Sequence, residues 1–138
     1  MLVFEKVSDK KFTKAEISIC DNIDLPFVQD DNLVGVWNVV DYISILDLQD
    51  YTPKQSEKKL FVQKYIVTKN GECIREDSQQ NLLKQYWTKG YILNKYVKTA
   101  SAYTIKEIEN EQYLFMEWKS GDYTFAGKVT GMYVFKKD

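Results

Sequence analysis

Histidine is absent from this 138-residue chain, and cysteine, proline, glycine and arginine are scarce. Without histidine the chain lacks the commonest metal ligand and general base, which excludes Ser-His-Asp and Cys-His catalysis. The six glycines form no loop that would cradle a phosphate. No apolar run approaches the length of a membrane span, and the N-terminus lacks the apolar core of a secretory signal. We therefore expect no cofactor and, if Met1 is the native start, a cytoplasmic protein.

The cysteines and the charged residues argue against further kinds of site and partner. Cys20 and Cys73 lie far apart without metal-ligand spacing, so two buried thiols are favoured over a disulfide in an exported protein. The carboxylates lack the paired geometry of a glycosidase and the spacing of a calcium loop. Lysine and arginine total 19 against 20 acidic residues, which argues against nucleic acid as the main partner.

Aromatic residues are abundant, and they favour β structure. The chain has ten tyrosines, seven phenylalanines and three tryptophans, and tyrosine suits a sheet position with one apolar face and one wet end. Asn70-Gly71 predicts a tight primed turn inside one hairpin. Short strands separated by turn residues predict a single antiparallel up-and-down β-barrel over 30–138, with strands near 35–45, 60–67, 73–75, 82–87, 91–93, 101–106, 112–119, 123–126 and 132–137.

The first 29 residues are predicted to form an extended arm that packs on the barrel, with a short strand at 15–20. Leu25 and Phe27 flank Pro26 and are expected to anchor the arm on the barrel exterior. A single capped helical turn is expected at 30–33, and any other helix should be short.

Gly35-Val36-Trp37 opens the first barrel strand and predicts how one end of the barrel is closed. The glycine lets the backbone pass close to a neighbour, and the indole two residues later is a rigid plug. Lys136 or Lys137, on the last strand, is expected to lie over this indole as a cation–π contact worth about 1 kcal/mol.

Period-two alternation then places Trp37, Val39, Asp41 and Ile43 on the inward face. An inward carboxylate needs a partner or water, and Arg75, the only arginine, or Lys119 is the expected partner. Asp41 is interpreted either as part of a structural ion pair or a hydrated interior, or as a charge that orients a ligand.

Two further clusters have alternative interpretations. Residues 117–123 combine glutamate, lysine, serine and aspartate, but alternation places Glu117 and Lys119 opposite Trp118, and 120–122 fits a turn. Tyr86, Trp87 and Tyr91 are expected either to line the mouth of a cup or to form cross-strand pairs in a hairpin. The predicted barrel lining, and hence the candidate ligand contacts, comprises Trp37, Val39, Asp41, Ile43, Arg75, Trp87, Tyr103, Met116 and Trp118.

With Gly35-Val36-Trp37 at this place, the chain resembles the lipocalin-like (calycin) superfamily over roughly 30–137. Several blocks also resemble a group of bacterial proteins without an assigned function, a type of module that occurs attached to β-lactam-sensing antirepressor peptidases of Gram-positive bacteria. The blocks are 25–28, 35–41, 86–90, 98–101 and 113–123. The resemblance implies a barrel with a central cavity and supports Trp37 as the plug. Typical lipocalins end with an arginine and a helix beside the barrel, whereas this sequence has lysines at 136 and 137.

Three functions follow as hypotheses. The leading one is a non-enzymatic binding or sensing module that holds a small, partly apolar molecule in the barrel. The second is an interaction module that uses the barrel exterior or the arm to bind a protein partner or a second copy of itself. The third, an enzyme acting through Asp41, Glu117 or Lys119, would require two of these groups in one pocket. The sequence favours the first and no enzyme.

Overall fold

The computed structural model describes residues 22–119 and 131–138 of the chain. Eight antiparallel strands close into one barrel, in which each strand pairs with its chain neighbours and the last strand pairs with the first. The predicted all-β, up-and-down barrel is therefore confirmed. The strands are β1 (Gly35–Ser44), β2 (Val62–Val67), β3 (Glu72–Asp77), β4 (Leu82–Thr88), β5 (Tyr91–Asn94), β6 (Thr99–Ile108), β7 (Glu111–Glu117) and β8 (Gly131–Lys137).

A 3-10 turn, Ile45–Asp47, follows β1. Several predicted features lie outside the described residues: the strands at 15–20 and 123–126, the turn at 120–122, the first 21 residues of the arm and Cys20.

Because the strands alternate in direction, the two ends of the barrel are distinct. We call the end at which β1 begins the lower end; it carries the connections 68–71, 89–90 and 109–110. The upper end carries the connections 45–61, 78–81 and 95–98.

Trp37 closes the lower end, as the sequence predicts. Its side chain has no exposed surface, and its Nε1–H donates to the Leu33 carbonyl oxygen at 2.7 Å. Gly35 has φ +141°, so the backbone conformation favours glycine at this position. The Lys137 Nζ lies 5.4 Å from the indole centroid, which confirms the predicted cation–π contact.

The arm, residues 22–29, is held against the same end of the barrel by Thr88. The Thr88 hydroxyl accepts a hydrogen bond from Val28 N at 2.6 Å and donates one to the Pro26 carbonyl at 2.8 Å. The Phe27 ring contacts the Trp87 ring edge-on, with centroids 5.1 Å apart. Phe27, one of the two residues expected to anchor the arm, therefore contacts the barrel through the buried Trp87. The helical turn at 30–33 is also confirmed, since the Leu33 N–H donates to the Asp30 carbonyl oxygen.

The β2–β3 hairpin has the predicted place, but the prediction of a primed turn is wrong. A type I′ turn needs positive φ at both central residues, and here Gly71 (φ +84°) has positive φ whereas Asn70 does not. Thr68 N–H donates to the Glu72 carbonyl at 3.0 Å, so three residues form the loop. A three-residue loop with glycine in the left-handed region keeps the strands in register through a bulge.

Both faces of β7 and β8 are apolar, so the barrel has an interior core and an exterior cluster. The interior core comprises Leu33, Trp37, Val62, Tyr65, Val67, Cys73, Trp87, Ile92, Leu114, Met116, Tyr133 and Phe135. The exterior cluster comprises Tyr113, Phe115, Met132 and Val134, against which Val40, Ile43, Leu48, Tyr51 and Ile108 pack. Leu48 and Tyr51 belong to the connection that follows β1, which therefore folds back over the outside of the barrel.

Candidate functional site

Strand pairing places the only arginine inside the barrel. Directly opposed residues of an antiparallel pair lie on the same face of a sheet. Trp37 opposes Tyr65, and Tyr65 in turn opposes Arg75. Because Trp37 and Tyr65 are fully buried in the interior core, Arg75 faces the same interior, in the upper half of β3.

Two aromatic rings lie beside the Arg75 guanidinium. Its Cζ lies 5.3 Å from the Phe61 ring centroid and 5.7 Å from the Trp118 ring centroid. Phe61 directly precedes β2, and Trp118 directly follows β7. In an eight-stranded closed barrel β3 and β7 lie on opposite walls, so the contact between Arg75 and Trp118 crosses the interior. We call Arg75, Phe61, Trp118, Tyr65 and Tyr133 the Arg75 cluster.

Aromatic contacts hold the cluster together. The Trp118 ring lies edge-on to Tyr133 at 5.2 Å and to Phe61 at 6.0 Å between centroids. Tyr42 adds a further ring against Tyr133 at 4.7 Å, and it is 41% exposed, so the cluster reaches the surface at the upper end. Edge-to-face pairs at these distances favour one arrangement of the rings.

The polar atoms beneath the guanidinium are nearly all paired. Tyr65 donates its hydroxyl proton to Oε1 of the buried Gln85 at 2.7 Å. Burial raises the pKa of Tyr65, and the nearby Arg75 charge opposes that rise. Burial also raises the pKa of Tyr133, while backbone hydrogen bonds at Val62 and Phe61 oppose it. The exception is Arg75 Nε, which is shielded from solvent and has no hydrogen-bond partner.

The Arg75 guanidinium also forms no salt bridge with a described carboxylate. The salt bridges between described residues join lysines to glutamates, and none includes Arg75. Asp77 is the nearest acidic residue on the inward face of β3, but its Oδ1 accepts the Gln79 and Asn81 backbone N–H groups. Burial works against ionisation of Asp77, yet these hydrogen bonds lower its pKa, and the nearby Arg75 charge adds to that lowering. Its carboxylate therefore stabilises the β3–β4 turn.

The interior below the cluster is filled by side chains. Trp37, Tyr65 and Phe135 each have at most 1% of their surface exposed, and the Tyr65 and Phe135 rings contact edge-on at 5.6 Å. Burial raises the pKa of the Cys73 thiol to about 12, so it is a buried, protonated, free thiol as predicted. The interior is therefore a solid core in its lower half, and the polar groups gather in its upper half.

The predicted lining residues divide into three groups. Arg75 and Trp118 meet at the upper end, as described. Trp37, Val39, Tyr103 and Met116 belong to the interior core or pack against it, and Tyr103 also donates its hydroxyl proton to Asp30 Oδ2 at 2.6 Å. Trp87 is also buried, with its Nε1–H donating to the Thr68 carbonyl at 2.9 Å. Because the 89–90 turn is at the lower end, the interpretation that Tyr86, Trp87 and Tyr91 line a mouth is wrong.

Asp41 and Ile43 face outward, so the prediction that they line the interior is wrong. The register between β1 and β8 shifts between Val39 and Asp41. This bulge inserts one residue and reverses the alternation, so Val39 opposes the interior Phe135 whereas Asp41 opposes the exterior Val134. The partner of Asp41 is neither Arg75 nor Lys119: its Oδ2 accepts the Tyr51 hydroxyl proton at 2.9 Å.

Of the three residues considered for catalysis, Glu117 and Lys119 form an ion pair, and Asp41 lies apart from them. Asp41 is bound to Tyr51, on the exterior. Lys119 Nζ lies 3.7 Å from Glu117 Oε1 and donates to the Ala100 carbonyl at 3.1 Å. Glu117 Oε1 also accepts the Ala102 N–H, so this pair satisfies the backbone at the edge of β6. Within residues 22–119 and 131–138, no group of three or more acidic or cysteine side chains could hold a metal ion.

Sequence reasoning missed Phe61, Tyr65, Gln85 and Tyr133 as members of the site. Pairing outward from the predicted two-residue Asn70-Gly71 turn aligns Tyr65 with Glu76, and only the three-residue loop of the structure aligns Tyr65 with Arg75. No described helix is long and apolar enough to cross a membrane. No family model, no curated protein and no solved structure matches this chain.

Proposed function

We propose that this chain is a lipocalin-like, non-enzymatic binding module that takes a small, partly apolar molecule at the upper end of the barrel interior. The observation that carries the proposal is the Arg75 guanidinium, which lies beside two aromatic rings and has a buried Nε without a hydrogen-bond partner. A ligand site typically combines apolar and aromatic walls with a few directed polar groups. The Arg75 cluster has this composition.

The packing below the cluster supports a shallow site rather than a deep cup. Trp37, Tyr65 and Phe135, which belong to the interior core, fill the lower half of the barrel. Phe61 and Tyr42, in contrast, are 45% and 41% exposed beside the cluster. A guest would therefore rest on Phe61, Tyr42 and Trp118, and would not thread down the barrel axis.

A fluorescent amphipathic probe, 8-anilinonaphthalene-1-sulfonate, tests the proposal. We expect one saturable site, and we expect Trp118→Ala to weaken binding about tenfold because it removes one wall of the site. Ile108→Ala is the matched control, since Ile108 packs against the exterior cluster. Absence of saturable binding, or equal loss in both variants, would contradict a site at the Arg75 cluster.

Exposed apolar residues at the upper end favour a second candidate, a protein-interaction module. Leu46, Tyr96 and Leu82 are 76%, 74% and 67% exposed. Leu46 and Tyr96 belong to the connections 45–61 and 95–98, and Leu82 begins β4 at the same end. The described part of the arm is bound to the barrel through Thr88. Light scattering across a concentration series tests self-association: this candidate predicts a mass increase that Leu46→Ser and Tyr96→Ser together abolish.

A further inference from the structure

We propose that the molecule bound at the Arg75 cluster is a compact organic anion, a carboxylate attached to a flat aromatic body. This inference rests on the proposed function and names the chemical class of its ligand. It follows from the charge, the geometry and the depth of the site.

The charge of Arg75 favours an anionic ligand. Its side chain is partly buried beside aromatic rings, and a guanidinium charge attracts anions. None of the described carboxylates forms a salt bridge with Arg75, and the carboxylate of Asp77, which interacts electrostatically with Arg75, is hydrogen-bonded to its own turn. An anionic ligand would supply the missing partner, whereas a cationic ligand would be repelled.

The geometry of Arg75 favours a carboxylate. A guanidinium presents its N–H donors in its plane, in a fork that matches the two oxygens of a carboxylate. Phe61 and Trp118 lie within cation–π distance of the guanidinium and hold it in place. The unpaired Nε is one of the in-plane donors, so hydrogen bonding from the edge of the guanidinium is incomplete without a ligand.

The depth of the site limits the rest of the molecule. Because Tyr65, Phe135 and Trp37 fill the interior beneath Arg75, a long alkyl chain has no channel to enter. The rings available to an apolar body are those of Phe61, Trp118 and Tyr42, near the surface. Stacked and edge-on contacts with these rings suit a flat aromatic group.

Three naphthalene compounds with the same ring and different charge test the inference: 2-naphthoate, 2-naphthalenemethanol and 2-naphthylmethylamine. In calorimetric titrations at neutral pH we expect the carboxylate to bind about tenfold or more tightly than the alcohol, because hydrogen bonds to charged groups are the stronger ones. We expect the amine to bind more weakly than the alcohol. Dodecanoate should show no advantage over 2-naphthoate.

The outcomes separate the two proposals. Equal binding of all three compounds would overturn the anion inference and leave the binding function intact. Absence of binding by all three, together with no probe binding in the preceding experiment, would overturn the function itself. A strong preference for dodecanoate would contradict a shallow site for a flat ligand.

Variants of Arg75 test whether this residue causes the preference for the carboxylate over the alcohol. Arg75→Met should bind the alcohol as before and lose the preference for the carboxylate, and Arg75→Lys should keep only part of it because the fork is lost. Binding of the alcohol is the internal control for folding. The thermal midpoint of the ligand-free Arg75→Met protein should stay the same or rise, since the variant removes an unpaired buried donor. A retained carboxylate preference in Arg75→Met would overturn the assignment.

Discussion

Trp37, Trp87, Tyr65 and Arg75 all place a polar donor inside this barrel, and the first three have partners. The Trp37 and Trp87 indoles donate to the Leu33 and Thr68 carbonyls, and Tyr65 donates to Gln85. Arg75 Nε alone remains unpaired. An unpaired buried donor costs about 1–3 kcal/mol of stability, so its retention beside open aromatic rings is typical of a residue kept for binding.

Replacing Trp37 tests the closure of the lower end. Trp37→Phe removes the hydrogen bond to Leu33 and part of the buried ring, so the free energy of unfolding should fall by about 2–3 kcal/mol. Urea titration with circular dichroism measures the change. The control is Trp118→Phe, because Trp118 is only half-buried and its Nε1 donates to no described residue. This variant should lower the free energy of unfolding by less than about 1 kcal/mol. Equal costs would contradict the role of Trp37 as the plug.

At the scale of elements, β1 contributes residues to both the interior core and the exterior cluster. Before the bulge its inward residues, Trp37 and Val39, pack in the interior; after it Ile43 packs in the exterior cluster. The connection after β1 then covers that cluster through the Tyr51 ring, whose centroid lies 5.6 Å from that of Phe115. The Ser56 N–H donates to the Val40 carbonyl at 2.6 Å, at the bulge itself.

The Tyr51–Asp41 hydrogen bond should hold this connection in place. Tyr51→Phe should lower the free energy of unfolding by about 1–2 kcal/mol, because it leaves a buried carboxylate oxygen without its donor. It should also speed hydrogen exchange at Ser56. Tyr113→Phe is the matched control: Tyr113 is in the same cluster, but its hydroxyl has no hydrogen bond with a described residue. Equal effects on Ser56 exchange in both variants would contradict this account.

The strands were predictable because they depend on local pattern, whereas the site depends on how distant strands meet. The Asn70-Gly71 turn and period-two alternation were sufficient to predict the β2–β3 hairpin and the inward direction of Trp37. The bulge after Val39 was not predictable, because no residue type around it in the sequence signals an extra residue in the strand. Arg75 was predicted as lining, but its aromatic neighbours come from strand ends that meet only when the barrel closes.

On the scale of the whole molecule, the barrel buries several groups that must stay protonated. Desolvation by burial raises the pKa of Tyr65, Tyr51 and Tyr103, and hydrogen bonds to Asp41 and Asp30 add to the rise for the latter two. Burial raises the pKa of Cys73 from 9.0 to about 12. A group with a higher pKa in the folded state stabilises it fully below the unfolded pKa, and this contribution is lost as pH rises.

The free energy of unfolding should therefore fall between about pH 9 and pH 12. In that interval the unfolded chain releases protons from the thiol and the phenols that the native barrel retains. Urea titrations at successive pH values measure the slope, and phenolate absorbance shows whether some of the ten tyrosines ionise only on unfolding. Tyr65→Phe should give a shallower slope. Stability that does not change over this interval would contradict the burial of these groups.

The most direct test of the central claim, that ligands bind at the upper end of an otherwise filled barrel, uses the three tryptophans. Their indole N–H groups give three signals in one ¹H–¹⁵N spectrum: Trp37 and Trp87 lie in the lower half, and Trp118 lies in the Arg75 cluster. Titration with 2-naphthoate should shift the Trp118 signal and leave the other two in place. Shifts at Trp37 or Trp87 with Trp118 unchanged, or no shift at a saturating concentration, would contradict the account.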